Sequence, residues 1–189
     1  MKNIVILAFG AMCVAQWIVP GKMIYDSERV VRDGRVYKFK TRPIDPSDPF
    51  RGKYITLNFE ADHLDVDTIA DWKSEEEVFV TFMEDSAGFA KVKTLSRSKP
   101  DSDHYLRTKV NFATNYEPYQ INFNLPFDRF YLEESKASQA EQLYWQAQRD
   151  SAAVAYGLVS MGKGTAVITD VMIKDRSVVD IINELNKDK

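Results

Sequence analysis

The sequence predicts an α+β fold. Antiparallel strands dominate it and close into a barrel-like or sandwich arrangement, with one long helix, a short C-terminal helix and an apolar N-terminal helix that acts as a membrane or signal segment. Three observations lead there. Between Val36 and Leu132 the chain falls into short runs in which apolar and polar residues alternate, the period of half-buried strands. Residues 133–149, EESKASQAEQLYWQAQR, break that alternation with a helical stripe. Aromatic residues make up 12% of the chain, a composition that favours sheet.

The first element is the apolar stretch MKNIVILAFGAMCVAQWIV, uninterrupted from Ile4 to Val19 except for Gln16. At about 1.5 Å per residue that stretch reaches roughly 24 Å, short of the roughly 30 Å hydrocarbon core. A membrane anchor would therefore recruit Met23, Ile24 and Tyr25 past Pro20, Gly21 and Lys22. A cleaved signal peptide competes, because Cys13 and Ala15 are small residues placed for a cut before Gln16. Against cleavage, Trp17, Ile18 and Val19 stay apolar beyond that point, and Trp17 suits an interfacial belt. A buried core helix is the third expectation. Lys2 on one side is offset by Lys22, Arg29, Arg32 and Arg35 on the other, so charge alone does not orient the segment. Its start at residue 4 suggests export, with residues 1–25 as anchor or signal and residues 26–189 as a single β-rich extracytoplasmic (periplasmic) domain. Secretion after cleavage is the alternative.

Met23 to Val31 reads as a short separate helix stopped by Gly34. A strand from Val36 to Thr41 and a second from Lys53 to Glu60 flank a proline-spaced turn and are expected to form the first long hairpin. Further strands are expected at 77–83, 88–95, 104–112, 119–125 and 129–132, with Asp85, Ser86 and Gly88 turning between the first two. Their spacing suggests a meander. The helix at 133–149 presents Ala137, Ala140, Tyr144 and Ala147 on one stripe, with acids at its start and Arg149 at its end, in keeping with the macrodipole. Strands at 153–161 and 164–173 turn at Gly162, Lys163 and Gly164. Ser177 then caps a last helix whose apolar face is Val178, Ile181, Ile182 and Leu185.

Composition excludes several classes. All 28 acids lie at or after Asp26, so the domain is more acidic than the chain's net −3, which argues against nucleic acid. Cys13 is the single cysteine and sits in the leader, leaving the domain without disulfides or thiolate chemistry. His63 and His104 are far apart and lack an HExxH pattern, so no metal site is expected. No cofactor is expected either.

Two constellations carry polar chemistry. In PIDPSDPFRG, Pro43, Pro46 and Pro49 restrict the backbone, Asp45 and Asp48 can bond their own backbone, and Arg51 precedes Gly52 and Tyr54. These residues serve either a rigid ion-paired turn or recognition. The second set is Arg129, Tyr131, Glu133, Glu134 and Lys136, in which Arg129 and Tyr131 share a strand face and Arg129 and Glu133 can lie on one face. Joined to Arg51 and Asp48, it would make a pocket for a carboxylate or phosphate of a partner. Alone, it would lock the strand to the helix that follows. Tyr116, Tyr119, Phe123, Phe127 and Tyr131 line a sugar or lipid groove on one view and pack in the core on the other.

The stretch Gly52, Lys53, Tyr54, Ile55, Thr56, Leu57, Asn58, Phe59 resembles the signature of the GDYXXLXY family of bacterial membrane-anchored proteins. Lys53 stands where that pattern has aspartate and Phe59 where it has its last tyrosine. The preceding DPSDPFR, the leader ending in WIVP, PFDRFYLEESKASQAEQLY and GTAVITDV extend the resemblance over most of the chain. It implies one N-terminal membrane segment before an extracytoplasmic domain, and it supplies no catalytic residues. Any role resting on the aspartate does not carry over to Lys53.

The expected function is thus a membrane-anchored accessory or interaction protein with no catalytic residue assigned, paired with an envelope membrane protein. The candidate binding residues are Asp45, Asp48, Arg51, Gly52, Tyr54, Arg129 and Glu133. A serine-lysine hydrolase built on Ser135 and Lys136 is one alternative, and a barrel binding a small sugar or lipid is the other.

Overall fold

The computed structural model describes residues 2–43, 54–68, 71–114, 116–150 and 153–187. Antiparallel sheet dominates, and three helices accompany it among the described residues, so the α+β expectation holds.

Helix α1 runs from Lys2 to Asp33 as one element. The separate helix expected at Met23–Val31 is its continuation. Pro20 withholds one backbone donor without ending the helix. From Ile4 to Tyr25 the large apolar side chains of α1 are exposed, and Val30 is the first to be buried. Only Gly34 separates α1 from strand β1 (Arg35–Lys40). There the Val30 carbonyl accepts from the Gly34 N–H at 2.9 Å and from the Ser160 hydroxyl at 2.5 Å. Ser160 is fully buried. A Cβ at residue 34 would overlap the Val30 carbonyl oxygen and stand 2.5 Å from Ser160 Oγ, so the junction admits glycine alone without rearrangement.

Strand β1 alternates as expected, with Tyr37 and Phe39 buried, but its partner differs from the expectation. It pairs antiparallel with β9 (Ala155–Gly162), placing Phe39 opposite Gly157. β9 pairs in turn with β10 (Thr165–Ile173), and β10 with the short β11 (Arg176–Ser177). The second expected strand shortens to β2 (Tyr54–Thr56), which pairs with β8 (Arg129–Tyr131). What survives of the hairpin is a contact at its base: Thr41 bridges Phe59, the Arg42 N–H donates to the Asn58 carbonyl, and the Glu60 N–H donates to the Lys40 carbonyl. β9 offers β1 six consecutive paired positions, with Gly157 opposite Phe39.

The other large sheet has the order β3–β7–β6–β4–β5, formed by His63–Asp65, Gln120–Phe123, Leu106–Ala113, Glu77–Glu84 and Ala90–Ser96. β4 and β5 form the expected hairpin, where Asp85 Oδ1 accepts from the Ala87 and Phe89 N–H groups and Gly88 takes φ +82°. A plain meander would next lay β6 beside β5. Instead β6 crosses to the far side of β4. Arg107 meets Glu77 there and Lys109 meets Glu75, whereas β5 would have offered Lys91 and Lys93, like charges that oppose pairing. Residues 97–105 supply the length for the crossing.

Helix α2 (Glu134–Arg149) buries Ala137, Ala140, Tyr144 and Ala147, the stripe expected from the sequence. Helix α3 (Val178–Lys187) buries Val178 and Ile182, while Leu185 points outward; Ser177 Oγ accepts from the Val179 N–H at 3.2 Å at its start. The inner faces of the two large sheets meet on aromatic rings. Phe39 packs edge-on against Phe59, Phe82 and Phe127, with centroids 5.0 to 5.7 Å apart. Phe123 and Phe127 are buried in the core, whereas Tyr116 and Tyr131 are exposed.

Substitution Gly34→Ala should destabilise the full chain in detergent by about 1–3 kcal/mol through overpacking. Ser160→Ala should cost about 1 kcal/mol for its lost hydrogen bond. Urea unfolding midpoints check both, and an unchanged midpoint for Gly34→Ala would mean that α1 is not seated as described.

Candidate functional site

Of the expected binding residues, Asp45, Asp48, Arg51 and Gly52 lie outside the described residues, whereas Tyr54, Arg129 and Glu133 lie within them. The pairing of β2 with β8 sets Tyr54 opposite Tyr131, Ile55 opposite Phe130 and Thr56 opposite Arg129. Period-two geometry then sorts the faces. Ile55 is fully buried, while Arg129 and Tyr131 emerge together on the outer face as expected. The Tyr54 and Tyr131 rings tilt against each other at 5.4 Å, and the Arg129 guanidinium lies 5.1 Å from the Tyr54 centroid. A hydrogen bond with Tyr131, and then the nearby Asp128 carboxylate, push the Arg129 pKa above its ordinary value, so this cation persists at any physiological pH.

Glu133 sits at the start of α2, where its backbone carbonyl accepts from the Lys136 and Ala137 N–H groups and its carboxylate lies 3.5 Å from Lys136 Nζ. An acid at this end of a helix suits the macrodipole, and the i,i+3 spacing favours Lys136 over a strand arginine. Ser135 is exposed on the same helix turn, and the Lys136 amine faces that carboxylate.

Beside Arg129 runs a groove of about 270 Å³, lined by Pro126, Phe127, Phe130 and Tyr131 on one wall and by Ala166, Val167 and Ile168 of β10 on the other. Only the end of β10, at Met172 and Ile173, is covered by β11, and a bulge interrupts its register between Ile168 and Asp170. The wall formed by residues 166–168 is thus a sheet edge. An apolar groove with a stacked guanidinium at its rim can hold an apolar side chain beside a carboxylate or phosphate. The sequence exposed Arg129 and Tyr131; the opposing wall on β10 lies far off in the chain, and no local signal announces it.

Of the signature residues inside the described part, Ile55, Leu57 and Phe59 pack in the core. Leu57 and Phe59 are buried, and the Leu57 N–H donates to the Asp128 carbonyl at 2.8 Å. Gly157 makes room for the Phe59 ring, since a Cβ there would lie 3.1 Å from it. A tyrosine hydroxyl at position 59 would need a buried partner; phenylalanine needs none.

Two further polar clusters flank this region. Gln148 donates to Thr41 Oγ1 at 2.8 Å, and Thr41 donates to the Ala155 carbonyl at 2.8 Å; burial raises the pKa of the neighbouring Tyr144 phenol, moderated by Thr41 and Gln148. The Tyr156 hydroxyl donates to Asp175 Oδ1 at 2.7 Å, and burial first, then that bond, push its phenol up to about 12. Because this folded value exceeds the ordinary 10.0, the folded chain keeps a proton that the unfolded chain releases. The stabilisation from Tyr156 is complete below pH 10 and lost as the pH climbs to about 12. Denaturation across that window, followed with tyrosinate absorbance, should show a smaller loss of stability for Tyr156→Phe than for the native chain.

In comparisons with known proteins, the family model described as GDYXXLXY protein matches residues 16–171. No curated protein and no solved structure matches.

Proposed function

The chain belongs to the GDYXXLXY family, and on that premise we propose that it is a membrane-anchored accessory protein whose extracytoplasmic domain docks an envelope membrane partner. The observation that carries this reading is α1. The helix is long and apolar enough to cross a membrane, and none of its most apolar stretch is buried by the rest of the chain. At about 1.5 Å per residue its 32 residues reach roughly 48 Å, enough for a 30 Å hydrocarbon core with turns to spare. A cut before Gln16 would still leave Trp17, Ile18, Val19, Met23, Ile24 and Tyr25 exposed to water, which favours retention over cleavage.

The docking surface is the Arg129, Tyr54 and Tyr131 platform above its apolar groove. Aromatic residues and arginine are the side chains that concentrate binding energy at protein interfaces. The partner presents an apolar side chain to the groove and an acidic group to Arg129.

Two measurements test this. With Cys13 replaced by alanine and a cysteine introduced at Lys91, an impermeant maleimide should label intact cells, and the chain should resist carbonate extraction. A photo-crosslinker at Tyr131 should capture a discrete membrane protein that one at Lys91 does not, and Arg129→Ala should diminish the capture. Identical products from both positions would sink the docking surface.

A further inference from the structure

The apolar stretch of α1 is interrupted at one position, and the backbone makes that position more polar than its side chain alone. Gln16 is exposed, and Pro20 lies four residues on in the same helix. In an α-helix the N–H of residue 20 is the donor to the carbonyl of residue 16, and proline has no N–H. The Gln16 carbonyl therefore lacks its helical donor. Its own side chain does not take that place, because helical side chains lean toward the N-terminus while carbonyls point toward the C-terminus. One position thus presents a backbone carbonyl, an amide oxygen and two amide N–H groups.

Depth makes such a notch costly. Lys22 closes on Asp26 at 2.5 Å, an ion pair suited to the level at which the helix leaves hydrocarbon. At about 1.5 Å per residue Gln16 lies roughly 9 Å beneath Lys22. Hydrocarbon offers no hydrogen-bond partner, so these groups are satisfied by a neighbouring helix. Among the described residues α1 is the one helix long and apolar enough to cross a membrane, so the neighbour comes from another chain.

The direction taken by the domain selects that chain. At about 100° per residue, Met12, Gln16, Val19, Met23, Ser27 and Val30 fall within roughly 80° of arc on one side of the helix. Met12, Val19 and Met23 are exposed, Ser27 is half-buried, and Val30 is buried against the sheet, where its carbonyl accepts from Ser160. The domain overhangs the face that carries Gln16. A second copy of α1 laid on this face would continue as helix to Asp33 and run into the overhang. A helix that ends at the membrane surface fits beneath it.

We infer that the Gln16 notch docks a transmembrane helix of a different membrane protein, one that carries an asparagine or glutamine at that depth and ends beneath the domain. The partner's amide N–H groups donate to the Gln16 carbonyl and amide oxygen, and its own oxygen accepts from the Gln16 amide. The site rests on the anchored reading of α1 and adds a contact within the membrane to the docking proposed above.

The test places the full chain in phosphatidylcholine vesicles with a polyleucine transmembrane peptide that carries either one asparagine at the depth of Gln16 or none. A photo-crosslinker at Met12, beside Gln16, should capture the asparagine peptide about tenfold more than the all-leucine one, the scale of an interhelical amide contact in model peptides. One at Val14, on the opposite face, should not discriminate. Gln16→Leu should remove the preference, and Pro20→Ala, which returns a donor to the Gln16 carbonyl, should reduce it. An asparagine peptide prolonged by several rigid helical turns on the domain side should lose capture. Near-UV circular dichroism verifies that each variant is folded. Equal capture of the two peptides, or a preference that survives Gln16→Leu, overturns the notch. A crosslinked pair of the chain itself from Met12 overturns the overhang and makes a second copy the occupant. Absence of preference in a chain that resists carbonate extraction defeats the notch and leaves the anchor standing; loss of capture from Tyr131 with the peptide preference intact defeats the Arg129 platform alone.

Discussion

Everything in the domain hangs on the ring of Phe39. It is fully buried, and it touches Phe59 after the signature strand, Phe82 on β4 and Phe127 before β8. These four rings come from four separate stretches of chain and from both large sheets. Edge-to-face contacts of this kind are directional and add about 0.5–1.5 kcal/mol per pair beyond burial, so they fix how the sheets face each other as well as holding them together. The short β2–β8 pair is positioned by the same cluster, since Phe59 and Phe127 sit just beyond its ends. Platform and core are two sides of one piece of sheet.

The second constraint is the union of α1 with the four-stranded sheet. Val30 is buried, its carbonyl takes two donors, and a Cβ at residue 34 would overlap that carbonyl oxygen, so the chain passes there only as glycine. Helix and sheet therefore form one body.

How much of this could be read in the sequence depended on whether the cause was local. The alanine and tyrosine stripe of α2, the Asp85 turn and the alternation of β1 follow from periodicity and turn chemistry, and they came through. Partnership did not. β1 prefers β9, more than a hundred residues on, in a register that sets Gly157 opposite Phe39 and leaves room for the Phe59 ring, and β6 prefers β4 for charges that a meander would misplace. Among site residues, Arg129 and Tyr131 were legible because strand period puts them on one face. Glu133 lies at a helix start, where Lys136 three residues on is its near cation.

A helix joined to a sheet through a single glycine has no elbow. In a bilayer, apolar helices answer a mismatch in thickness by leaning, commonly by about 20°, and a flexible tether would hide that lean from whatever it carries. With α1 seated in a bilayer as proposed, that lean would pass to the sheet it enters. A thinner membrane would then tip Arg129, Tyr54 and Tyr131 as well, and the compass bearing and height of those side chains would follow the lipid around the helix.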